Sequence, residues 1–361
     1  MSAARPAAVI VLAAGEGTRM NSRLPKTLHL VCGLPMLAHC LSAAAQTGPG
    51  RLIVVVGHAA GQVSAHVREH APDAQVVVQE RLGGTGHAVR MALEAAGTIR
   101  GTVVVTYADT PLLRGATLAA LAAERERAGA AAAVLTARAP DPSGYGRIVR
   151  DAGGGFASIV EHADATPEQL AIVEVNPGMY AFDGDLLADA VKRVGTGNAQ
   201  GEEYLTDAVG VLRRDGHRVV TVECRDFDEV RGVNDLAQLA QANRIMNDRL
   251  LAAAMRAGVV VADPASTWID VRVSLAAGAW IGPWTQLRGA TVVGPGASVG
   301  PGCVLTDTVV GAGARVVQSY CDGAVIGDGA EVGPFARLLP GMTAEGRRAT
   351  AAAEGEGVRG R

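Results

Sequence analysis

The chain of 361 residues is long enough for one large or two ordinary domains, and 48% of it is hydrophobic, so a sizeable buried core is expected. Its net charge of −3 gives no general attraction for nucleic acid or an anionic membrane, and an aromatic content of 3% argues against a surface on which bases stack. Five scattered cysteines predict reduced thiols. Because the sequence shows neither a signal-peptide pattern nor an apolar run of about 18 residues, we expect a cytoplasmic protein without a membrane span.

Apolar strands alternate with helices over the first 137 residues. Strands are predicted at 8–12, 51–57, 74–79, 102–107 and 131–137, and helices at 35–47, 60–70, 87–96 and 115–128. Uniformly apolar strands between helices are typical of a parallel sheet covered on both faces, so we expect an α/β domain with a mostly parallel sheet. Ligands bind at the carboxyl ends of such strands, and Gly15, Gly57, Gln79 and Asp109 all follow strand ends.

The pattern changes after residue 140. Residues 141–235 are less regular and suggest a second lobe of the first domain (1–235) that closes over a substrate, and a long helix is expected in a linker at 236–262. Between 263 and 343 an aliphatic residue recurs at every sixth position, with slips of phase: Ile269, Leu275, Ile281, Leu287, Val293, Val299, Leu305, Val310, Val316, Ile326, Val332 and Leu338. This period is the signature of a parallel β-helix of hexapeptide repeats. Residues 344–361 lose the period, which predicts a disordered tail.

The stretch from Val9 to Lys26 carries the strongest chemical signal. An apolar strand is followed by small residues, the glycines Gly15 and Gly17, and the cations Arg19 and Lys26. The backbone N–H groups of a glycine-rich turn can contact phosphate oxygens, and the cations would neutralise them. Lysine occurs elsewhere only at position 192, and an ammonium is not interchangeable with a guanidinium beside a crowded phosphate. We therefore expect a nucleoside triphosphate here.

Two common nucleotide motifs do not fit this stretch. A P-loop requires G-x-x-x-x-G-K-[ST], and a dinucleotide-binding turn requires G-x-G-x-x-G, where this chain has Met20 at the third position. The pattern that remains is L-A-A-G-x-G-T-R-M followed by P-K, which resembles the signature of sugar-phosphate nucleotidyltransferases. Further segments continue the resemblance in order: GTGHAV, YADTPLL, GYGRI, IVEHADAT, EVNPG, NAQGEEYLTD and GVN.

Over residues 8–240 the chain is similar to the bacterial N-acetylglucosamine-1-phosphate uridylyltransferases, which are usually fused to a glucosamine-1-phosphate acetyltransferase. The resemblance implies a Rossmann-like nucleotidyltransferase domain, and the left-handed β-helix of this family matches residues 263–341. The implied reaction is the Mg²⁺-dependent transfer of UMP from UTP to N-acetylglucosamine-1-phosphate, giving UDP-N-acetylglucosamine and pyrophosphate. It requires alignment and charge neutralisation, with no covalent step from the protein.

The resemblance also implies the roles of individual residues. Arg19 and Lys26 would be the catalytic cations. Asp109 suits Mg²⁺, which takes oxygen ligands, and Asn234 would be the second protein ligand. The sugar phosphate would be held by Gly146, Glu161, Asn176 and Asn234. The nucleotide would be bound by Leu12, Ala13, Ala14, Gly15, Gly17, Lys26, Gln79, Gly84, Thr85, Tyr107 and Ala108.

Several of these residues have simpler structural explanations. Asp109 could be a turn residue before Pro111, Glu161 a solvated loop carboxylate, and Asn176 the cap of a turn. His87 is expected to pack at the start of a helix.

The chain departs from the family pattern at three positions, with Ala108 where glycine is usual, Gly83 where leucine is usual and Leu339 where arginine is common. A methyl group at position 108 could crowd the nucleotide unless the backbone φ is negative. The acetyltransferase residues of the family have no counterpart in this chain. We therefore expect no acetyltransferase activity, and a homotrimer through the β-helix that is weakened by truncation.

Two other functions stay open. The chain could transfer a nucleotide to another sugar, such as glucose-1-phosphate, with dTTP, ATP or UTP. Alternatively, the alanine at position 108 and the short β-helix would suit a weakly active paralogue that serves as an assembly module.

Overall fold

The computed structural model describes residues 5–346, which divide into two compact units. The first unit comprises residues 5–29 and 35–242, and the second comprises residues 30–34 and 243–346. All five cysteines are buried and free of disulfide bonds. Among the helices of residues 5–346, none combines the length and the apolar character that a membrane span requires.

Helices surround a single large sheet in the first unit. The helices are α1 (Met36–Gln46), α2 (Ala60–His70), α3 (Thr85–Ala96), α4 (Gly115–Arg127), α5 (Pro167–Leu170), α6 (Gly184–Val191), α7 (Leu205–Arg214) and the beginning of α8 (Leu236–Arg256), which continues into the second unit. The strands are β1 (Ala8–Ala13), β4 (Leu52–Val56), β5 (Gln75–Val78), β6 (Thr102–Tyr107), β7 (Ala132–Arg138), β8 (Gly146–Arg150), β9 (Phe156–Val160), β10 (Glu174–Asn176), β11 (Tyr180–Asp183) and β12 (Val219–Cys224). Two short strands, β2 (Leu30–Val31) and β3 (Leu34–Pro35), pair with each other.

The ten strands follow the order β5-β4-β1-β6-β11-β7-β10-β8-β9, with β12 beside β7. The first four are parallel, and Ile10 of β1 lies between Ile53 and Val105. Alternate residues of these strands enter two separate cores, because side chains along a strand point to opposite faces. Ile10 packs with the core under α3, α6 and α7, and Val9 packs with the core under α1, α2 and α4. This arrangement confirms the predicted α/β class.

The segment 141–235 differs from the prediction. It does not form a separate lobe, because β8 to β12 extend the same sheet through mostly antiparallel pairs. Some of these strands are as short as Glu174–Asn176, and they are held by partners on both sides. A local pattern cannot reveal such strands, because their stability comes from pairing with distant residues.

The second unit contains three parallel sheets of five short strands each, the left-handed β-helix architecture that the hexapeptide period predicts. The first sheet contains β13 (Val260–Val261), β16 (Trp280–Ile281), β19 (Ser298–Val299), β22 (Arg315–Val316) and β25 (Glu331–Val332). The second contains β14 (Trp268–Ile269), β17 (Gln286–Arg288), β20 (Val304–Thr306), β23 (Tyr320–Asp322) and β26 (Arg337–Leu338). The third contains β15 (Ser274–Leu275), β18 (Val292–Val293), β21 (Val309–Val310), β24 (Val325–Ile326) and β27 (Thr343–Ala344).

The ends of the β-helix lie outside the predicted limits of 263 and 343. Val260–Val261 already pairs with Trp280–Ile281, and the last strand includes Ala344, which is buried beside Ile326. Cys321 occupies an inward position between Val316 and Ile326 that the aliphatic pattern left vacant. Residues 347–361, most of the predicted tail, lie outside the described residues.

Candidate active site

The loop after β1 brings glycine backbone and two cations to the carboxyl end of the sheet. Gly17 has a φ of +64°, and a Cβ at this position would lie 2.4 Å from the Cβ of Lys26. Glycine is therefore required for the loop to pack against the Lys26 side chain. Arg19 is exposed, and its side chain makes no hydrogen bond or ion pair with any residue in the described part of the chain.

Lys26 joins residues that are far apart in sequence. Its Nζ donates hydrogen bonds to Asp109 Oδ2 at 2.6 Å and to Asn234 Oδ1 at 2.7 Å. The backbone N–H of Val233 donates to the Asp109 carbonyl oxygen at 2.8 Å, which fixes the turn that carries Asn234. The Tyr145 hydroxyl accepts a further hydrogen bond from the Gly232 N–H at 3.2 Å. The structure thus brings the predicted metal ligands together around one positive charge.

This arrangement shows that the two side chains fit a hard divalent cation. The Asp109 and Asn234 oxygens both lie within 2.7 Å of one nitrogen, so they converge on a single cation position. The ammonium acts as the stand-in ion. Mg²⁺ commonly takes one or two protein oxygens and completes its shell with phosphates and water. An Asp carboxylate and an Asn carbonyl are donors of this kind.

Two adjoining cavities surround these residues. The cavity beside the β1 loop, of about 540 Å³, is called the nucleotide cavity after its predicted ligand, and the cavity beside β8 and β10, of about 490 Å³, is likewise called the sugar cavity. All predicted nucleotide-binding residues except Ala108 line the nucleotide cavity: Leu12, Ala13, Ala14, Gly15, Gly17, Lys26, Gln79, Gly84, Thr85 and Tyr107. The sugar cavity is lined by all four predicted sugar-phosphate residues, Gly146, Glu161, Asn176 and Asn234. Arg19, Tyr107 and Asp109 line both cavities.

Gln79 has a defined orientation at the nucleotide cavity. Its Nε2 donates to the Gly84 carbonyl oxygen at 3.2 Å and lies 2.7 Å from His87 Nδ1. An amide nitrogen can only donate, so His87 accepts through Nδ1 and carries its proton on Nε2. No residue between 5 and 346 donates a hydrogen bond to the Gln79 side-chain oxygen. That oxygen is therefore the group that Gln79 can offer to a ligand. His87 packs at the start of α3, as predicted, and also orients Gln79.

Residues 83–86, after β5 and at the start of α3, form a second glycine loop, and its glycines leave room for their neighbours. A Cβ at Gly83 would lie 3.0 Å from the His87 ring, so the position that holds leucine in the family is filled here by the imidazole. Gly84 has a φ of +103°, and a Cβ there would lie 2.5 Å from the Glu203 carbonyl oxygen. Both positions are therefore constrained by close packing.

The polar side chains of the sugar cavity are hydrogen-bonded within the protein. Thr206 Oγ1 donates to Glu161 Oε1 at 3.1 Å, and Asn176 Nδ2 donates to the Tyr180 hydroxyl at 2.7 Å. Asn176 Oδ1 also accepts from the Gly178 N–H at 3.2 Å. Asn176 therefore does cap the turn that the simpler explanation proposed, and it lines the cavity as well. Glu161 is held by α7 and is not a solvated loop carboxylate.

Burial raises the pKa of two side chains that line this cavity. Burial raises the pKa of Glu161 above its usual range, and the hydrogen bond from Thr206 opposes that rise. Burial likewise raises the pKa of the Tyr107 phenol, and the nearby Glu161 carboxylate adds to the effect. Tyr107 is therefore a neutral hydroxyl at ordinary pH. Its ring packs on Gly178, where a Cβ would lie 2.4 Å from Tyr107 Cε2.

A wall shared by both cavities was not assigned from the sequence. Gln200 and Glu202 line both cavities, on a segment that packs against the second glycine loop. The Glu203 N–H donates to the Gly83 carbonyl oxygen at 2.8 Å, and the Gly86 N–H donates to the Glu203 carbonyl oxygen at 2.7 Å. Arg90 Nη2 contacts Glu203 Oε1 at 2.9 Å and Oε2 at 3.2 Å. The only sequence signal for this wall was the motif NAQGEEYLTD itself.

Ala108 lies away from both cavities. Its side chain is buried in the core under α1 and α4, and its N–H donates to the Leu12 carbonyl oxygen at 2.9 Å. Ala108 is not among the residues with positive φ, so its methyl group causes no backbone strain. The structure therefore gives no sign of the crowding that the sequence suggested.

Comparison with known proteins gives consistent matches. A family model described as a MobA-like NTP transferase domain matches residues 9–175. The bifunctional protein GlmU of Thermobifida fusca is 58% identical over 331 residues, which cover 91% of this chain and 68% of that protein. The bifunctional protein GlmU of Streptomyces coelicolor is 56% identical over 343 residues, or 94% of this chain and 71% of that protein. The bifunctional protein GlmU of Kineococcus radiotolerans is 50% identical over 345 residues, with shares of 95% and 70%.

Proposed function

The chain belongs to the GlmU family and is a nucleotidyltransferase of the UDP-N-acetylglucosamine pyrophosphorylase type, and we propose that it transfers UMP from UTP to N-acetylglucosamine-1-phosphate with Mg²⁺ as the metal. The products are UDP-N-acetylglucosamine and pyrophosphate. The observation that carries this proposal is the position of Asp109, which lines both cavities and contacts Lys26. Two substrates bound in the adjoining cavities would react beside this carboxylate.

The reaction forms one P–O bond and breaks another. A phosphate oxygen of the sugar-1-phosphate attacks the α-phosphorus of UTP, and the bond from that phosphorus to the bridging oxygen of pyrophosphate breaks. A phosphate monoester has a second pKa of about 6, so it is already an anion at neutral pH and needs no protein base. The protein has to align two anions that repel each other and to offset their charge.

Arg19 and Lys26 provide the fixed positive charges. Arg19 lies where the cavities meet, and a guanidinium can bind phosphate oxygens through two parallel hydrogen bonds. Lys26 would turn from Asp109 and Asn234 towards a bound triphosphate, and these two residues would then hold Mg²⁺ through their side-chain oxygens. The chemistry that bound Mg²⁺ supplies is charge neutralisation at the phosphate oxygens. The backbone from Ala14 to Gly17 lines the same cavity.

Gln79 favours a uracil-like base. Its side-chain oxygen can accept the N3–H of uracil, whereas cytosine has no hydrogen at N3. Thymine carries the same N3–H, so Gln79 alone does not separate UTP from dTTP. The transfer of a thymidylyl group to another sugar is therefore tested directly in the assay below.

Glu161 and Asn176 suit a sugar rich in hydroxyl and amide groups. The carboxylate can accept hydrogen bonds from hydroxyl groups, and Asn176 is held in place beside it by Tyr180. At Gly146 a Cβ would lie 3.2 Å from Ile159 Cγ2 and 3.3 Å from Glu161 Oε2. A side chain there would narrow the space in which the sugar binds.

Pyrophosphate release tests the proposal. The full chain is incubated with Mg²⁺, UTP and N-acetylglucosamine-1-phosphate, and with dTTP, ATP and glucose-1-phosphate in parallel. We expect the first pair to turn over fastest, Asp109→Ala to abolish turnover, and the exposed control Asp189→Ala to retain it. Turnover with another pair alone, or retained activity in Asp109→Ala, would contradict the proposal.

Two sequence predictions need their own measurements. The absence of acetyltransferase activity stays a prediction, and thiol release from acetyl-CoA with glucosamine-1-phosphate would contradict it. Homotrimer formation through the β-helix also stays a prediction, and light scattering after size exclusion measures the mass of the particle in solution.

A further inference from the structure

Helix α2 carries three potential metal ligands near its C-terminal end. His66, Glu69 and His70 are spaced i, i+3 and i+4, which places them on one face of the helix. The two imidazole centroids are 6.2 Å apart, and the ring planes differ by 14°. One ligand atom from each side chain lies within 4.8 Å of the other two, and no second group of three or more such residues exists among residues 5–346. None of the three lines either cavity of the active site.

The distances within this group favour a bridging ion. His66 Nδ1 is buried and has no hydrogen-bond partner among the described residues. Glu69 Oε2 lies 3.6 Å from that nitrogen, which is beyond hydrogen-bond reach, and Glu69 Oε1 lies 3.9 Å from His70 Nε2. Nitrogen and oxygen ligands of a tetrahedral zinc ion lie about 2.0–2.2 Å from the metal, and so about 3.4 Å from each other. The observed nitrogen–oxygen distances are close to that separation.

The side chains can make the small adjustment that remains. Glu69 is 65% exposed and His70 is 21% exposed, so both can rotate towards an ion without displacing the core. Open coordination positions would face solvent, where water can complete the shell.

We propose that His66, Glu69 and His70 form a binding site for a borderline divalent transition-metal ion, of which Zn²⁺ is the example. Imidazole nitrogen favours such ions, whereas the oxygen-only pair of Asp109 and Asn234 suits Mg²⁺. The two sites are therefore chemically distinct. An ion bound across one turn of α2 stabilises the folded chain by mass action.

Zinc titration of the full chain tests the site. Zn²⁺ is measured by competition with a fluorescent zinc chelator, in a buffer whose excess Mg²⁺ saturates the oxygen-only site. The wild-type chain should bind one equivalent, and His66→Gln and His70→Gln should each weaken binding by about tenfold or more, because each removes a ligand. His217→Gln, which removes an imidazole from outside the group, should bind as the wild type does.

Thermal unfolding and activity provide the second readout. Zn²⁺ should raise the unfolding midpoint of the wild type and of His217→Gln, but not that of His66→Gln. Uridylyl transfer with Mg²⁺ should be the same in all of these variants, since the group lies outside both cavities. If a histidine variant does not fold, Glu69→Gln is used in its place, because Glu69 is exposed, and it too should weaken Zn²⁺ binding by about tenfold or more. The proposal is overturned by a wild type that binds no equivalent, or by a ligand variant that keeps its affinity within about tenfold.

Discussion

The two cavities of the first unit hold their polar side chains in different ways. At the nucleotide cavity, Lys26 is hydrogen-bonded to Asp109 and Asn234, and the Arg19 side chain has no hydrogen bond or ion pair with any described residue. In the sugar cavity, Glu161 is bonded to Thr206 and Asn176 to Tyr180, so both side chains are fixed by neighbours that are not ligands. The nucleotide cavity therefore has to exchange contacts when a ligand binds, whereas the sugar cavity is already arranged.

The two cavities therefore differ in the free-energy cost of binding a ligand. A prearranged site loses little side-chain freedom when its ligand enters, whereas a site that breaks an ion pair needs a ligand that replaces the lost contacts. A triphosphate with a divalent ion could do so, because the phosphates would contact the ammonium and Asp109 and Asn234 would hold the ion. Ligand binding at Lys26 would therefore be coupled to a metal at Asp109 and Asn234, whereas Glu161 and Asn176 in the sugar cavity are hydrogen-bonded to other residues. Substitutions in each cavity test this distinction.

Lys26→Ala should have the largest effect. We expect turnover to fall by about 10²–10³-fold, because the charge that stabilises the phosphates in the transition state is lost. In the absence of nucleotide, the affinity for Mn²⁺, used as a paramagnetic substitute for Mg²⁺, should increase, since the Asp109 and Asn234 oxygens no longer contact an ammonium. Steady-state kinetics and a Mn²⁺ titration followed by electron paramagnetic resonance measure the two effects.

Arg19→Ala is the matched control for Lys26→Ala. It removes a cation from the same cavity, and the Arg19 side chain has no hydrogen bond or ion pair with Asp109 or Asn234. Turnover should fall, but the affinity for Mn²⁺ should stay at the wild-type value. Equal Mn²⁺ affinity in Lys26→Ala and the wild type would show that the ammonium and the metal do not compete.

Glu161→Gln should act on the sugar cavity alone. The KM for the sugar phosphate should rise about tenfold, because a hydrogen bond to a charged acceptor is replaced by one to a neutral amide. The KM for UTP should stay unchanged, since Glu161 does not line the nucleotide cavity. A comparable rise in both KM values would mean that the two cavities are not independent.

The same substitution has a pH-dependent effect on stability. Burial raises the pKa of Glu161, so the folded state binds this proton more tightly than the unfolded state does. The stability contributed by Glu161 therefore grows as pH falls through the raised pKa and is lost as pH rises above it. Glu161→Gln should raise the urea midpoint relative to the wild type more at pH 7 than at about pH 4.5. Equal differences at both pH values would contradict this assignment.

Local sequence pattern was enough for the elements whose burial is visible in the residues themselves. Every residue of β1 is buried, so the strand is a continuous apolar run. In the β-helix every inward residue is buried against a regularly spaced neighbour, which produces the six-residue period. The pattern does not predict Cys321 as an inward residue, because the six-residue phase slips there and a thiol replaces the aliphatic side chain. The local pattern does not predict the pairing of β8 to β12 either, because the partner strands are distant in sequence.

The candidate site likewise has features that the motifs predict and features that only the structure reveals. Motif resemblance placed Lys26, Asp109 and Asn234 together, but it could not show that one ammonium contacts both oxygens, since that contact spans 208 residues. It assigned Gln79 to the base, but only His87 reveals that the side-chain oxygen is the group left for a ligand. The shared wall at Gln200 and Glu202 depends on backbone hydrogen bonds to the loop at Gly83, which no local pattern contains.

The ion pair of Arg90 and Glu203 tests the wall that both cavities share. Its side chains are 28% and 20% exposed, so we expect the ion pair to stabilise the wall by about 1 kcal/mol. Arg90→Ala, Glu203→Ala and the double variant should each raise the KM for UTP and for the sugar phosphate by about fivefold, because loss of the pair loosens one wall of both cavities. Steady-state kinetics with each substrate varied in turn measures the change.

A second ion pair provides the control for this one. Arg193 Nη2 contacts Asp215 Oδ1 at 2.9 Å, and neither residue lines a cavity of the active site. Arg193→Ala should leave both KM values unchanged. If the effects of Arg90→Ala and Glu203→Ala instead add in the double variant, the two side chains act separately and do not hold the wall as a pair.

Ala108→Gly should have the smallest effect on activity, because Ala108 contacts neither cavity. Its methyl group is buried in the core, so its removal should lower the free energy of unfolding by about 1 kcal/mol, through lost apolar burial and a more flexible backbone. The kcat/KM for both substrates should stay at the wild-type value, and urea unfolding measures the stability. A clear gain of activity in Ala108→Gly would show that the methyl group does crowd the nucleotide. In that case the chain would be the weakly active paralogue, and the ordered sugar cavity would be insufficient for efficient turnover.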